Sequence, residues 1–128
     1  MSAAPRPRPK YYDLNLAHLP PPGLVSIIHR ASGAFLFFPI LPALLYVLHV
    51  TLGSPEGYER WHEFFARPAV KVILLGAAWL YAHHFFAGIR YLFLDLHLGV
   101  GKEASKTSAI AVLVLGLAAT ALVAWRLW

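Results

Sequence analysis

The chain has 128 residues, 59% of them apolar and only 13% charged, where soluble domains run at about 45–50% and about 25%. A small membrane protein fits these figures and a soluble domain does not. The net charge of +5 is not gathered into a basic patch with interleaved aromatics, so nucleic-acid binding is excluded, and basic residues beside apolar spans set membrane orientation instead. The lack of cysteine rules out disulfides, thiolate metal sites, iron–sulfur ligation and covalent haem attachment.

Residues 1–23 form a polar, proline-rich segment with Arg6, Arg8 and Lys10 and no apolar signal-peptide core. Pro20, Pro21 and Pro22, followed by Gly23, are a rigid break that marks where a first helix begins. The rest, 24–128, is expected to be one three-helix transmembrane domain. Span one covers about 24–52 and carries Pro39 and Pro42, which a transmembrane helix tolerates with a kink. The connection GSPEGYERWHEFFAR (53–67) holds Trp61, Phe64 and Phe65, which suit a short helix at the membrane–water interface. Span two covers about 68–98, with Pro68 fitting its first turn. A loop with Lys102 and Lys106 leads to span three, about 107–128, which closes on Trp125, Arg126 and Trp128.

The fold class is therefore an all-α membrane protein with three transmembrane helices. Arg6, Arg8, Lys10, Lys102 and Lys106 on one side outnumber Arg60, Arg67 and Arg126 on the other, which places the N-terminus inside.

Few residues in the spans can carry chemistry. Ser26 and Arg30 are four apart on one helix face, with His29 flanking them. Together they offer a hydroxyl, an imidazole and a guanidinium at the inner membrane edge. They suit a polar pocket that takes a carbonyl or a carboxylate; they also suit a helix start whose arginine snorkels to headgroups. His84 lies in mid-span, with Gly88, Tyr91 and Asp95 on the same face. An ionisable side chain at that depth needs a partner or a task. A haem ligand with space beside a glycine is one reading; a histidine bonded within a helix bundle, or lining a polar pore, is the other. His83 points about 100° away from His84. Arg90 lies on the face of His83, and Asp95 is five residues beyond it, too far round to pair. Asp95 suits a contact with a partner chain or with headgroups, whereas for Arg90 that reading is one of those left open. No phosphate loop, nucleophile set or H-E-x-x-H motif is present.

Two motifs carry a family resemblance. Ser26, His29, Arg30, Ser32 and Gly33 follow S-x-x-H-R-x-[ST]-G, and His84, Gly88, Arg90 and Asp95 follow H-x-x-x-G-x-R-(x)4-D. With SPEGYE (54–59) and the N-terminal RPRP, the chain resembles, over nearly its whole length, the cytochrome b subunit of bacterial succinate dehydrogenase. The resemblance implies a bundle completed by a second small anchor subunit. It implies that the pair tethers an iron–sulfur subunit and a flavoprotein subunit to the cytoplasmic face of the inner membrane, and that electrons from succinate reach ubiquinone. In that pattern His84 is one axial ligand of a haem b, and the second comes from the partner subunit. Ser26 and Arg30 line the quinone site, while His29 and Arg30 lie near the haem propionates. Tyr91 departs from the family, where histidine is common. The remaining alternatives are a fumarate reductase anchor and a non-redox structural or transport subunit.

Overall fold

The computed structural model describes residues 18–128; Arg6, Arg8 and Lys10, and with them most of the N-terminal segment, lie outside the described residues. Three helices are long and apolar enough to cross a membrane: Pro21–Gly53 (α1), Pro68–Asp95 (α3) and Lys102–Leu127 (α4). A short helix, Pro55–Ala66 (α2), joins the first two. Among the described residues there is no strand, as spanning backbone that must satisfy itself demands.

Helix α1 starts three residues before the expected boundary. Pro21 and Pro22 sit in its first turn, where a missing N–H removes no hydrogen bond, and Pro20 is the extended cap. Its middle, Leu36–Ile40, is π-helical around Pro39. Proline has no N–H and its ring crowds the carbonyl four residues back, and a widened turn relieves both. The α-helix resumes at Leu41, with Pro42 again in a first turn.

The SPEGYE segment has a physical reading in α2. Ser54 caps the helix, its Oγ accepting from the Gly57 N–H at 3.0 Å, and Pro55 follows in the first turn. Gly57 presses against the Val50 carbonyl so closely that any Cβ would overlap it. Trp61 then stacks on Phe65 at 5.5 Å and meets Tyr46 edge-on at 6.2 Å, tying α2 to the end of α1.

Helix α3 ends in a paired turn. The Leu98 N–H donates to the Phe93 carbonyl and the His97 N–H to the Leu94 carbonyl, with His97 left-handed at φ 61° where glycine is usual. Helix α4 begins at Lys102 rather than Thr107. Lys102, Glu103, Ala104 and Lys106 are polar or small but good helix formers, so the helix extends beyond its apolar stretch.

Helices α3 and α4 pack most closely. His83, Ala87 and Arg90 of α3 face Ala109, Val112 and Gly116 of α4, all buried. A Cβ on Gly116 would lie 3.6 Å from the His83 backbone, the small-residue approach by which membrane helices gain contact. Val25 and Ser32 of α1 complete the core. At the far end Lys71 Nζ donates to the carbonyl of Leu127, the last residue of α4, at 2.6 Å and lies over the Trp128 ring. Helix α1 runs antiparallel to α3, with Gly33 opposite His84 and His29 opposite Gly88. Arg30 and Asp95 therefore lie at the same end, as expected. None of the most apolar stretch of α1 is buried within the chain. That surface is left for lipid or for neighbouring subunits.

Candidate functional site

The seam between α1 and α3 gathers the candidate residues. His84 and His29 stack with ring centroids 4.3 Å apart and planes 18° apart. Tyr91 lies 5.0 Å from the His29 ring. The α3 face of His84, Gly88 and Tyr91 is thus the face that meets His29.

His84 is fixed from one side. Its Nδ1 is 3.1 Å from the His29 carbonyl and 3.2 Å from Ser32 Oγ, and Ser32 Oγ donates to the same carbonyl at 2.9 Å. Gly33 makes room for the ring: a Cβ there would lie 2.9 Å from His84 Cε1. Gly88, expected to leave space beside His84, instead gives its clearance to His29 Nε2, 3.8 Å from where its Cβ would be. Among the described residues nothing bonds His84 Nε2. Beside it opens a cavity of about 500 Å³, lined by Gly33, Leu36, Phe37, Tyr81, His84 and Phe85 among others. Binding sites for small molecules and cofactors fall in the range of roughly 300–1,000 Å³ and are mostly apolar.

Ser26, His29 and Arg30 do not form a single pocket. Arg30 is exposed; its Nη2 donates to Ser26 Oγ at 3.1 Å and its Nε reaches the Ser26 carbonyl at 3.4 Å. His29 turns into the seam instead, because three residues advance a helix by 300° and four by 400°. The structure therefore holds a Ser26–Arg30 pair on an open face and a His29–His84 pair between the helices. His83 is wholly buried against Trp79 and the α4 backbone, and neither of its ring nitrogens has a hydrogen-bond partner in the described residues.

Residues 4–123 match the family described as the succinate dehydrogenase/fumarate reductase transmembrane subunit. The chain belongs to this family. It is 33% identical over 124 residues to a succinate dehydrogenase cytochrome b556 subunit of Coxiella burnetii (strain RSA 493 / Nine Mile phase I), covering 94% of this chain and 97% of that protein. It is also 26% identical over 115 residues to the subunit of the same name in Rickettsia felis (strain ATCC VR-1525 / URRWXCal2), covering 90% and 89%. The resemblance read from the motifs thus stands, and this is a transmembrane cytochrome b-type subunit of the succinate dehydrogenase/fumarate reductase family.

In this succinate dehydrogenase-type subunit one polar cluster escaped the sequence reading. Arg90, whose role the sequence left open, is turned inward and only 6% exposed. Its Nε donates to Ser108 Oγ at 3.0 Å and its Nη2 to Ser105 Oγ at 2.9 Å. The spacing of Ser105 and Ser108 on one helix face was a usable signal; their height opposite Arg90 was not readable without the α3–α4 packing. Asp95, by contrast, is exposed as expected. Interhelical hydrogen bonds in membranes average about 0.6 kcal/mol, and bonds to charged groups run about 1.5–3. Arg90→Ala should therefore destabilise the subunit by about 1–3 kcal/mol, seen as a lower melting temperature of the complex in detergent. An unchanged melting temperature would show that the cluster holds nothing together.

Proposed function

We propose that this chain is the haem b-binding membrane anchor of a bacterial succinate dehydrogenase. In this reading it forms part of the ubiquinone-reduction site and tethers the iron–sulfur and flavoprotein subunits together with a second small anchor subunit. The complex lies in the inner membrane with the N-terminus of this chain cytoplasmic. Both named relatives are succinate dehydrogenase subunits, which favours succinate oxidation over fumarate reduction.

The observation that carries the haem reading is the half-engaged imidazole of His84. A carbonyl oxygen can only accept, so the contact with the His29 carbonyl puts the proton on Nδ1. Nε2 then keeps its lone pair, and an apolar cavity lies beside the ring. Among the described residues no group of three or more His, Asp or Glu converges on one point. A haem iron, already held by its own macrocycle, would need no such cluster from this chain, and the imidazole of His84 would suffice to hold it. The residues therefore fit the group. His84 would hold the iron, the partner anchor would supply the second ligand, and His29 and Arg30 would meet the propionates. When bound, haem b supplies one-electron redox chemistry beside the quinone site.

Quinone reduction needs two electrons and two protons at the ring oxygens. Ser26 Oγ accepts from Arg30, which leaves the hydroxyl proton free to donate to a quinone carbonyl. Arg30 keeps unused N–H groups and a charge that stabilises negative charge developing on that oxygen. Both sit at the N-terminal end of α1, so the head group enters from lipid while its tail stays in hydrocarbon. The electrons arrive from the succinate-oxidising subunits.

Ser26→Ala should slow quinone reduction roughly ten- to a hundredfold, because a lost bond to a developing charge costs on the order of 1.5–3 kcal/mol. Haem content and succinate oxidation by an artificial acceptor that bypasses the membrane site should persist. If both activities fall together, the serine is structural; if neither falls, the quinone binds elsewhere.

A further inference from the structure

We infer that Ser32, acting with the backbone carbonyl of His29, is the positioning residue that sets the tautomer and ring orientation of His84. The inference rests on the haem reading of His84. Ser32 touches neither the open cavity nor the Ser26–Arg30 face, and it is fully buried. A serine on a helix can satisfy its hydroxyl by bonding back to its own backbone, and Ser32 does so, donating to the His29 carbonyl at 2.9 Å. That donation spends its only proton. Its lone pairs are then available to the one polar atom left beside it, His84 Nδ1, at 3.2 Å. The His29 carbonyl accepts from Nδ1 as well, at 3.1 Å. Two acceptors thus converge on one ring nitrogen, and both require the same tautomer, with the proton on Nδ1 and the lone pair on Nε2.

The arrangement constrains the ring in two further ways. Gly33 lies against Cε1, so the imidazole cannot swing toward α1. The stacked His29 ring closes another side. Ligating histidines depend on such outer partners, which fix the ring and make the imidazole a stronger donor by drawing on its N–H. Removing one of two acceptors makes the imidazole a weaker donor. A weaker donor stabilises the oxidised iron less, so the haem potential moves positive and the iron is held less tightly.

The test uses the intact purified complex with Ser32→Ala and Ser32→Thr. Alanine removes the hydroxyl with little change of bulk; threonine keeps a hydroxyl that bonds back along a helix in the same way. The expected result for Ser32→Ala is a positive shift in haem midpoint potential, altered low-spin EPR g-values and haem lost roughly ten- to a hundredfold more readily. Ser32→Thr should restore the wild-type potential and g-values. An Ala variant with the wild-type potential and g-values overturns the inference. So does a Thr variant that behaves as the Ala variant does, since the effect then follows from packing and not from the hydroxyl. Failure of the haem reading itself looks different: the wild-type complex would then show no haem signal against which any shift could be measured.

Discussion

His84→Ala is expected to abolish the low-spin bis-histidine haem spectrum of the complex and to lower haem content at least tenfold, beyond the roughly tenfold that losing an outer partner of a ligand costs. The substitution removes the one imidazole in the α1–α3 seam whose Nδ1 is occupied and whose Nε2 is not. It leaves the α3–α4 contact of His83, Ala87 and Arg90 untouched, so the chain should still assemble. The measurement is the reduced-minus-oxidised visible spectrum of the purified complex, with its low-spin EPR signal. An unchanged spectrum with haem still bound means that another residue is the ligand, and His83 is the first alternative to test.

Gly33→Ala is expected to have almost as large an effect without touching a polar group. The added Cβ would sit 2.9 Å from His84 Cε1, closer than a real Cβ contact, so the ring must move. Movement away from α1 lengthens the 3.1 Å contact to the His29 carbonyl and withdraws the acceptor that fixes the tautomer. Helix propensity works in the opposite direction, since alanine is better than glycine by about 0.8–1.0 kcal/mol in a helix interior. A loss of haem in this variant is therefore not a loss of helix. Haem affinity should fall about ten- to a hundredfold. Comparing the His84→Ala, Gly33→Ala double variant with His84→Ala alone separates displacement of the ring from the cavity space that the methyl itself takes. Wild-type haem affinity in Gly33→Ala would contradict the seam geometry.

Much of the fold was legible in the sequence because hydrophobic spans and prolines act locally. The three spans follow from the predominantly apolar stretches 24–52, 68–98 and 107–128, each long enough as a helix to cross roughly 30 Å of hydrocarbon. Pro39 announced an irregular helix, although its form as a π-helical turn depends on how the neighbouring carbonyls relax. The start of α4 was misplaced because Lys102 to Lys106 are polar, and polarity marks the membrane edge rather than the helix end.

The site was legible in part. His84 stood out by depth, and Ser26 with Arg30 by their spacing; the structure joins the latter two by a hydrogen bond. What holds His84 was hidden for a physical reason. Its chief partner is a backbone carbonyl, which every residue possesses and no side chain identifies. The glycine that mattered to His84 was likewise on the other helix: Gly88 was visible one turn away in sequence, whereas Gly33 depends on the α1–α3 register. The partners of Arg90 were hidden because Ser105 and Ser108 lie on α4, beyond the turn that follows α3.

The central claim is that this chain holds a haem through one imidazole in a membrane-spanning seam. It is tested most directly by measuring haem stoichiometry and low-spin EPR on the purified intact complex. The account predicts one non-covalent haem b per copy of this chain, with the EPR signal of an iron between two imidazoles. A complex that oxidises succinate and reduces quinone at full rate with no haem bound, or whose haem iron shows no imidazole ligand, would contradict it.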